Sequence, residues 1–270
     1  MRPQLNYYHL DQQIIAFSTT RHGGVSTGKY AEFNINKYCG DEEKAIAYNR
    51  QILCRELDID TNHLIFPHQV HQTTIRQIDT DFLTLPANTQ ETLLEGVDAL
   101  MTDVRGICIG VSTADCIPII IYAPKQLATA VVHAGWRGTV AAITQKTVEA
   151  MFQKYRCSTD ELYAVIGPGI SKKHFEVGDE VYEHFLHAGF DMKMLAEKYP
   201  ATAEDGSHTY KWHIDLPLCN KMQLLSTGIS ETNIYMSEIC TYAQAEDYFS
   251  ARRLGINSGR IFTGAMIIRD

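Results

Sequence analysis

Long hydrophobic runs are missing from this 270-residue chain, and its longest apolar stretches, such as Ile117–Tyr122, have only the length of a strand. No segment approaches the ~18 consecutive apolar residues of a membrane-spanning helix, which excludes a helical membrane protein. Cysteine pairing signals are missing too. The seven cysteines (39, 54, 108, 116, 157, 219 and 240) form an odd set without a C-x-x-C pair, a poor disulfide framework that fits a reducing compartment. The segment Met1-Arg2-Pro3-Gln4-Leu5-Asn6-Tyr7 lacks the apolar core of a signal peptide, so the expected location is the cytoplasm. Positive charge is scarce, with 24 Lys+Arg against 32 Asp+Glu and a net charge of −8. That balance argues against a nucleic-acid binder that works by neutralising phosphates. No linker, low-complexity tract or fixed-period repeat divides the sequence, and one domain over residues 1–270 is expected.

The rest is ordinary globular composition, 45% hydrophobic and 21% charged, with enough chain for a large core. Ile14–Ser18 reads as a strand entering a glycine-rich loop. Asp41–Leu57 repeats apolar residues near a 3.6-residue period, with Asp41 placed to cap the helix. Short β-rich runs follow at 64–66, 73–78, 97–101, 107–112, 117–122 and 127–132. Next come a helix at Thr139–Tyr155, a strand at Leu162–Ile166, helices near 178–187 and 215–226, and a closing strand at Arg260–Ile268. Asp79–Glu95 and Ala201–His208 read as surface loops. Strands that are adjacent in the middle and interleaved with helices elsewhere predict an α+β (mixed α/β) fold. Its packed mixed β-sheets are surrounded by helices rather than doubly wound.

Ile117–Tyr122 and Leu127–Val132 are joined by Ala123-Pro124-Lys125-Gln126, where Pro124 suits a turn. A regular hairpin closed by that loop puts Cys116 opposite His133, with Cβ atoms roughly 4.5–5.5 Å apart. A thiolate and an imidazole at that distance can share a zinc ion, since Zn–S is about 2.3 Å and Zn–N about 2.0–2.1 Å. They could equally form a hydrolase pair with the thiolate as nucleophile, because both arrangements need a deprotonated sulfur beside imidazole. A third ligand is expected from Pro67-His68-Gln69-Val70-His71-Gln72. His68 and His71 lie three apart and point to opposite faces of an extended segment, so one of the two is expected at the metal. Two His and one Cys leave a fourth tetrahedral position for water or substrate, as catalytic zinc sites do. The remaining cysteines read as packing residues.

Gly23-Gly24-Val25-Ser26-Thr27-Gly28-Lys29 matches G-x-x-x-x-G-K, but Tyr30 replaces the hydroxyl residue and no helical pattern follows. A P-loop is excluded. The segment is either a flexible loop or, with Arg21, a cradle of backbone N–H groups for an anion such as phosphate. Gly167-Pro168-Gly169 reads as a turn, and Arg252, Arg253 and Arg260 as a cationic group with small neighbours.

Along nearly the whole chain, ordered segments resemble the YfiH-type purine nucleoside phosphorylase family, also called laccase-domain proteins or peptidoglycan editing factors. They include Thr20-Arg21-His22-Gly23-Gly24-Val25-Ser26, Gln69-Val70-His71, Val97-Asp98-Ala99-Leu100, Thr113-Ala114-Asp115-Cys116-Ile117-Pro118 and His133-Ala134-Gly135-Trp136-Arg137-Gly138. Further on come Ile166-Gly167-Pro168-Gly169-Ile170, Phe175-Glu176-Val177-Gly178, Ile214-Asp215-Leu216, Cys240-Thr241 and Phe249-Ser250-Ala251-Arg252-Arg253. Gln72 departs from the family's usual glycine and Ala251 from its common aromatic. The resemblance implies zinc, with copper as the alternative, held by His71, Cys116 and His133. These three and Arg252 are the implied catalytic residues. Substrate or phosphate contacts are implied at Arg21, Gly23, Gly24, Asn34, Asp115, Arg137 and Arg260. The implied partners are a purine nucleoside and phosphate, with neither nucleic acid nor membrane. The implied reactions are phosphorolysis of adenosine, inosine and 5′-methylthioadenosine and hydrolytic deamination of adenosine. An open zinc site, which lowers the pKa of bound water to about 7, is compatible with attack on the purine C6. The competing readings are a copper polyphenol oxidase, a Cys-dependent peptidoglycan-precursor hydrolase and a zinc-stabilised binding module. Multicopper chemistry usually draws on H-x-H pairs, and none occurs among the 11 histidines.

Overall fold

Strands Ile117–Ala123 and Ala128–Ala134 are apolar at consecutive positions because both of their faces are covered. In the computed structural model, which describes residues 1–202 and 206–269, they form the middle of a six-stranded mixed sheet. Its order is Ile234–Met236, Tyr163–Ile166, Ile117–Ala123, Ala128–Ala134, Ala99–Thr102, Ile75–Gln77. On one face Ile119 and Ile121 pack with Val148 and Met151 of helix Ile143–Tyr155 and Cys219 and Leu224 of helix Leu216–Ser226. On the other, Ile120 and Tyr122 meet Ala16, Ile109, Val111 and Ala265 of a second sheet. That sheet has five strands in the order Leu5–Tyr8, Ile14–Thr19, Ile261–Ile267, Cys108–Thr113, Leu64–Ile65. Its far side buries Phe17 and Phe262 against Ile52 and Leu53 of helix Glu43–Leu57. Helix, sheet, sheet and helices therefore stack as layers of a mixed α/β domain. A three-stranded sheet of Glu176–Val177, His208–Ile214 and Ala196–Thr202 accompanies helix Asp179–His187. Among the described residues, no helix is long and apolar enough to cross a membrane.

Several local expectations are displaced. Ala123 pairs with Ala128 and Pro118 with His133, so the hairpin loop is residues 124–127, and Leu127 turns at φ +48°. The register is displaced by two residues, and Cys116 stands diagonal to His133 rather than opposite it. Because side chains alternate with period two, that displacement keeps both on one face. Asp41 does not cap the first long helix. The cap is Glu42, and the Asp41 carboxylate accepts from Ser26 Oγ at 2.7 Å and Asn34 Nδ2 at 2.8 Å. The helix expected at Thr139–Tyr155 is two pieces, Trp136–Val140 and Ile143–Tyr155. Gln223 Nε2 donates to the Thr139 carbonyl at 2.7 Å, and Ala142 turns at φ +60° between the pieces. Residues 79–95, expected as a loop, hold helices Thr80–Thr84 and Ala87–Leu94. The Asp79 carboxylate caps the first by accepting from the Phe82 N–H at 2.9 Å. Within the loop expected at Ala201–His208, Ala201, Thr202 and His208 lie in paired strands, and residues 203–205 lie outside the described residues.

Ile120 is fully buried between the two large sheets. Replacing it by alanine leaves a cavity with aliphatic walls, and Ile120→Ala is expected to destabilise the fold by about 2–5 kcal/mol, read from the shift of a urea unfolding curve at unchanged slope.

Candidate metal centre

Three segments converge at one end of the six-stranded sheet. Cys116 immediately precedes strand Ile117–Ala123, His133 is the penultimate residue of Ala128–Ala134, and His71 lies in the loop before Ile75–Gln77. The Cys116 sulfur and one ring nitrogen of each histidine lie within 4.8 Å of one another. The two imidazoles meet edge to face at 4.8 Å. Gly135 borders this space: a Cβ there would sit 2.8 Å from His71 Cδ2 and 3.0 Å from Cys116 Sγ, so any side chain would intrude on the ligands.

One fully buried carboxylate sets the arrangement. Asp98 accepts from His133 Nδ1 at 2.7 Å and from the backbone N–H groups of His71 at 3.0 Å and Gln72 at 2.7 Å. Its carbonyl accepts from the His133 N–H at 2.8 Å. Because Nδ1–H is committed to a carboxylate, His133 presents Nε2 to the cluster. His71 sits in the left-handed region at φ +62°, a conformation that costs about 1–3 kcal/mol. Hydrogen bonds to a charged acceptor, each worth about 1.5–3 kcal/mol, offset it.

The charges follow from this packing. Burial opposes ionisation of Cys116, but His133 and His71 beside the sulfur bring its thiol down to about 6. Burial equally opposes charge on His133, yet the Cys116 sulfur and the Asp98 carboxylate raise it to about 9. Asp98 resists burial in the same way: its bonds to His133, Gln72 and His71 hold it below the usual carboxylate range. Between those two values the site is a thiolate–imidazolium pair. A thiolate and two imidazoles around a space kept open by glycine fit a thiophilic divalent ion.

The cluster opens on a cleft of about 540 Å³, the size of a small-molecule site. Asp115, Arg252 and Arg260 line it. The Asp115 carboxylate accepts from Thr241 Oγ1 and from the Arg252 backbone N–H, both at 2.7 Å. Arg252 Nη2 donates to the Glu176 carbonyl at 3.0 Å. Arg260 donates to the carbonyls of Ser258 at 2.6 Å, Gly259 at 3.0 Å and Ile256 at 2.8 Å. Among the described residues neither guanidinium forms an ion pair with a carboxylate, and backbone carbonyls orient both.

Arg21, Gly23, Gly24, Asn34 and Arg137 do not line the cleft. Arg21 donates to the carbonyls of Ala31 at 2.6 Å and Ala245 at 2.7 Å and lies over the Phe249 ring. The Gly23 N–H donates to the Glu32 carboxylate at 2.8 Å, and Gly24 packs so closely on Glu32 and Asn49 that no Cβ fits. The loop is packed on its own neighbours, which corrects the expectation of an open anion cradle. Asn34 is buried behind the cleft, its Oδ1 accepting from the Arg260 backbone N–H at 3.1 Å. Arg137 stacks on Trp136 at 4.2 Å. Of the two histidines left open by spacing, His71 joins the cluster and His68 does not. The residue that sequence reasoning passed over is Asp98. Its signal was a lone charge inside the apolar run Val97–Met101, where an ionised group has to be paired.

Three donors that could hold a metal ion, lining a cleft on stacked mixed sheets, define a candidate metal site with room for a small substrate. The chain belongs to the family described as multi-copper polyphenol oxidoreductase laccase, whose model matches residues 15–268, the YfiH-type family indicated by its motifs. It is 43% identical over 254 residues to a purine nucleoside phosphorylase of Bacteroides thetaiotaomicron, covering 94% of this chain and 92% of that protein. It is 40% identical over 261 residues to adenosine deaminase RL5 of an unknown prokaryotic organism, covering 97% of each. The crystal structure of YlmD from Geobacillus stearothermophilus matches with a TM-score of 0.84 at 27% identity, covering 97% of this chain and 94% of that one.

Asp98→Asn keeps the shape but removes the charge that orients His133, and metal affinity is expected to fall about 10–100-fold in competition with a chromophoric chelator. With Cys116 near 6 and His133 near 9, metal entry at neutral pH displaces about one proton, from His133. Affinity should therefore climb by about a decade per pH unit between those values and level off above them, which proton release in weak buffer measures directly.

Proposed function

We propose that this chain is a zinc-dependent purine nucleoside phosphorylase acting on adenosine, inosine and 5′-methylthioadenosine, with adenosine deaminase activity. His71, Cys116 and His133 hold the metal. One observation carries the reading: the three-donor cluster opens on a cleft whose wall bears two guanidinium groups held by backbone carbonyls and without an ion-pair partner among the described residues. The names of the two close relatives support it.

Phosphorolysis needs an anion held beside C1′ of the nucleoside. Arg252 and Arg260 supply that charge, and because carbonyls already fix them, little side-chain entropy is lost when phosphate docks. Asp115 and Asn34 anchor the backbones that carry these arginines. Tyr38, Trp136 and Phe175 give the cleft flat apolar surface for a purine. When bound, zinc supplies a Lewis acid with one open coordination position. The single His–Cys–His cluster among the described residues favours one metal over a multicopper oxidase, which needs several. All seven cysteines are unpaired thiols, in keeping with a reducing, cytoplasmic setting.

Metal-characterised protein incubated with adenosine, with and without phosphate, is expected to release adenine and ribose 1-phosphate only when phosphate is present, and inosine without it. Cys116→Ala should lose both zinc and turnover. Full activity in the zinc-free variant, or no nucleoside consumed by the wild type, overturns the assignment.

A further inference from the structure

His68, which the metal cluster leaves unused, lines the same cleft. Its backbone is fixed by a bridge to Glu95, by its N–H donating to the Leu94 carbonyl at 3.0 Å, and by its own carbonyl accepting from the Gly96 N–H at 3.0 Å. The ring is fixed as well. Nδ1 meets Glu95 Oε1 at 2.6 Å, and the Tyr38 ring stacks on it at 4.0 Å and 18°. A carboxylate only accepts, so Nδ1 carries the hydrogen of that bond. Among the described residues no hydrogen bond engages Nε2. An exposed ion pair contributes little stability, and stability alone does not call for a ring clamped by both a carboxylate and a stacked phenol in the wall of a ligand cleft. An imidazole tied through Nδ1 to a carboxylate, with Nε2 turned to a reactant, is how proton-transferring histidines are oriented.

Resting on the phosphorylase reading, we infer that His68 is the general acid of the base-leaving step and that Glu95 is its positioning residue. A phosphate oxygen bonds to C1′ as the C1′–N9 bond breaks, and the electron pair of that bond passes into the purine ring. His68 acts as the imidazolium paired with the Glu95 carboxylate: its Nε2 proton goes to purine N7, so the base departs neutral, and the imidazole left behind keeps its Nδ1–H on Glu95. The attacking hydrogen phosphate loses its proton to solvent on becoming the sugar phosphate ester, and His68 recovers one from solvent, which leaves charge and atoms balanced.

The test compares inosine with 7-methylinosine, whose base already carries the positive charge that N7 protonation would create. For His68→Asn with normal zinc content and melting temperature, kcat on inosine is expected to fall about 10²–10⁴-fold with KM nearly unchanged. Turnover of 7-methylinosine should stay at the wild-type rate. Glu95→Gln should give the same selective pattern with a smaller loss, and it stands in if His68→Asn folds poorly. Equal losses on both substrates, or no loss on inosine, overturn the assignment while leaving the phosphorylase reading intact. A wild-type protein that cleaves neither nucleoside in the presence of phosphate overturns both.

Discussion

An ionised carboxylate shut away from water costs several kcal/mol unless donors replace its hydration. Asp98 meets that demand with the imidazole of one prospective ligand and with the peptide groups around another. Its charge therefore does two jobs. It holds the His71 loop in a backbone conformation that the loop would not choose by itself, and it decides which nitrogen of His133 faces the cluster. The thiolate of Cys116 then finds two imidazoles already in place, and their proximity outweighs the burial that would otherwise keep the sulfur protonated. Remove the carboxylate's charge and each of these local strains loses its counterpart.

The layered architecture explains why the cluster sits where it does. Within the sheets, side chains on both faces are committed to aliphatic packing, so no polar group can be hosted there without a partner. Only at the sheet's end, where Ile117–Ala123 and Ala128–Ala134 run out into Cys116 and Gly135, does the backbone release side chains to a common space. Rigid strands deliver two donors and a tethered loop brings the third, a division that gives precision without a long-range fold change.

Much of this was legible in the residues, and the failures share a cause. Continuous β-branched runs announced strands buried on both sides, and the abrupt change to polar residues at Cys116 and His133 announced a site. The hairpin register was off by two, so Cys116 does not pair with His133, yet parity rather than register decides which face a side chain takes, and the two still share one. What spacing left open was governed by side chains outside the segment being read. Asp98 selects His71 over His68, Gln223 interrupts a helix 84 residues earlier, and Asp41 is drawn from its cap to Ser26 and Asn34. The glycine-rich segment looked like a cradle because glycine tolerates either role, a ligand's approach or a neighbouring backbone's. No single-segment pattern tells those two apart.

Strand Ile261–Ile267 lies between Ile14–Thr19 and Cys108–Thr113 in the five-stranded sheet. During synthesis on a ribosome strand Ile14–Thr19 waits with an open edge for a partner more than two hundred residues downstream, while Arg260 enters the cleft wall on that same late strand's leading end. Assembly of the second sheet and completion of the cleft wall are thus one event, and a nascent chain short of this strand has neither.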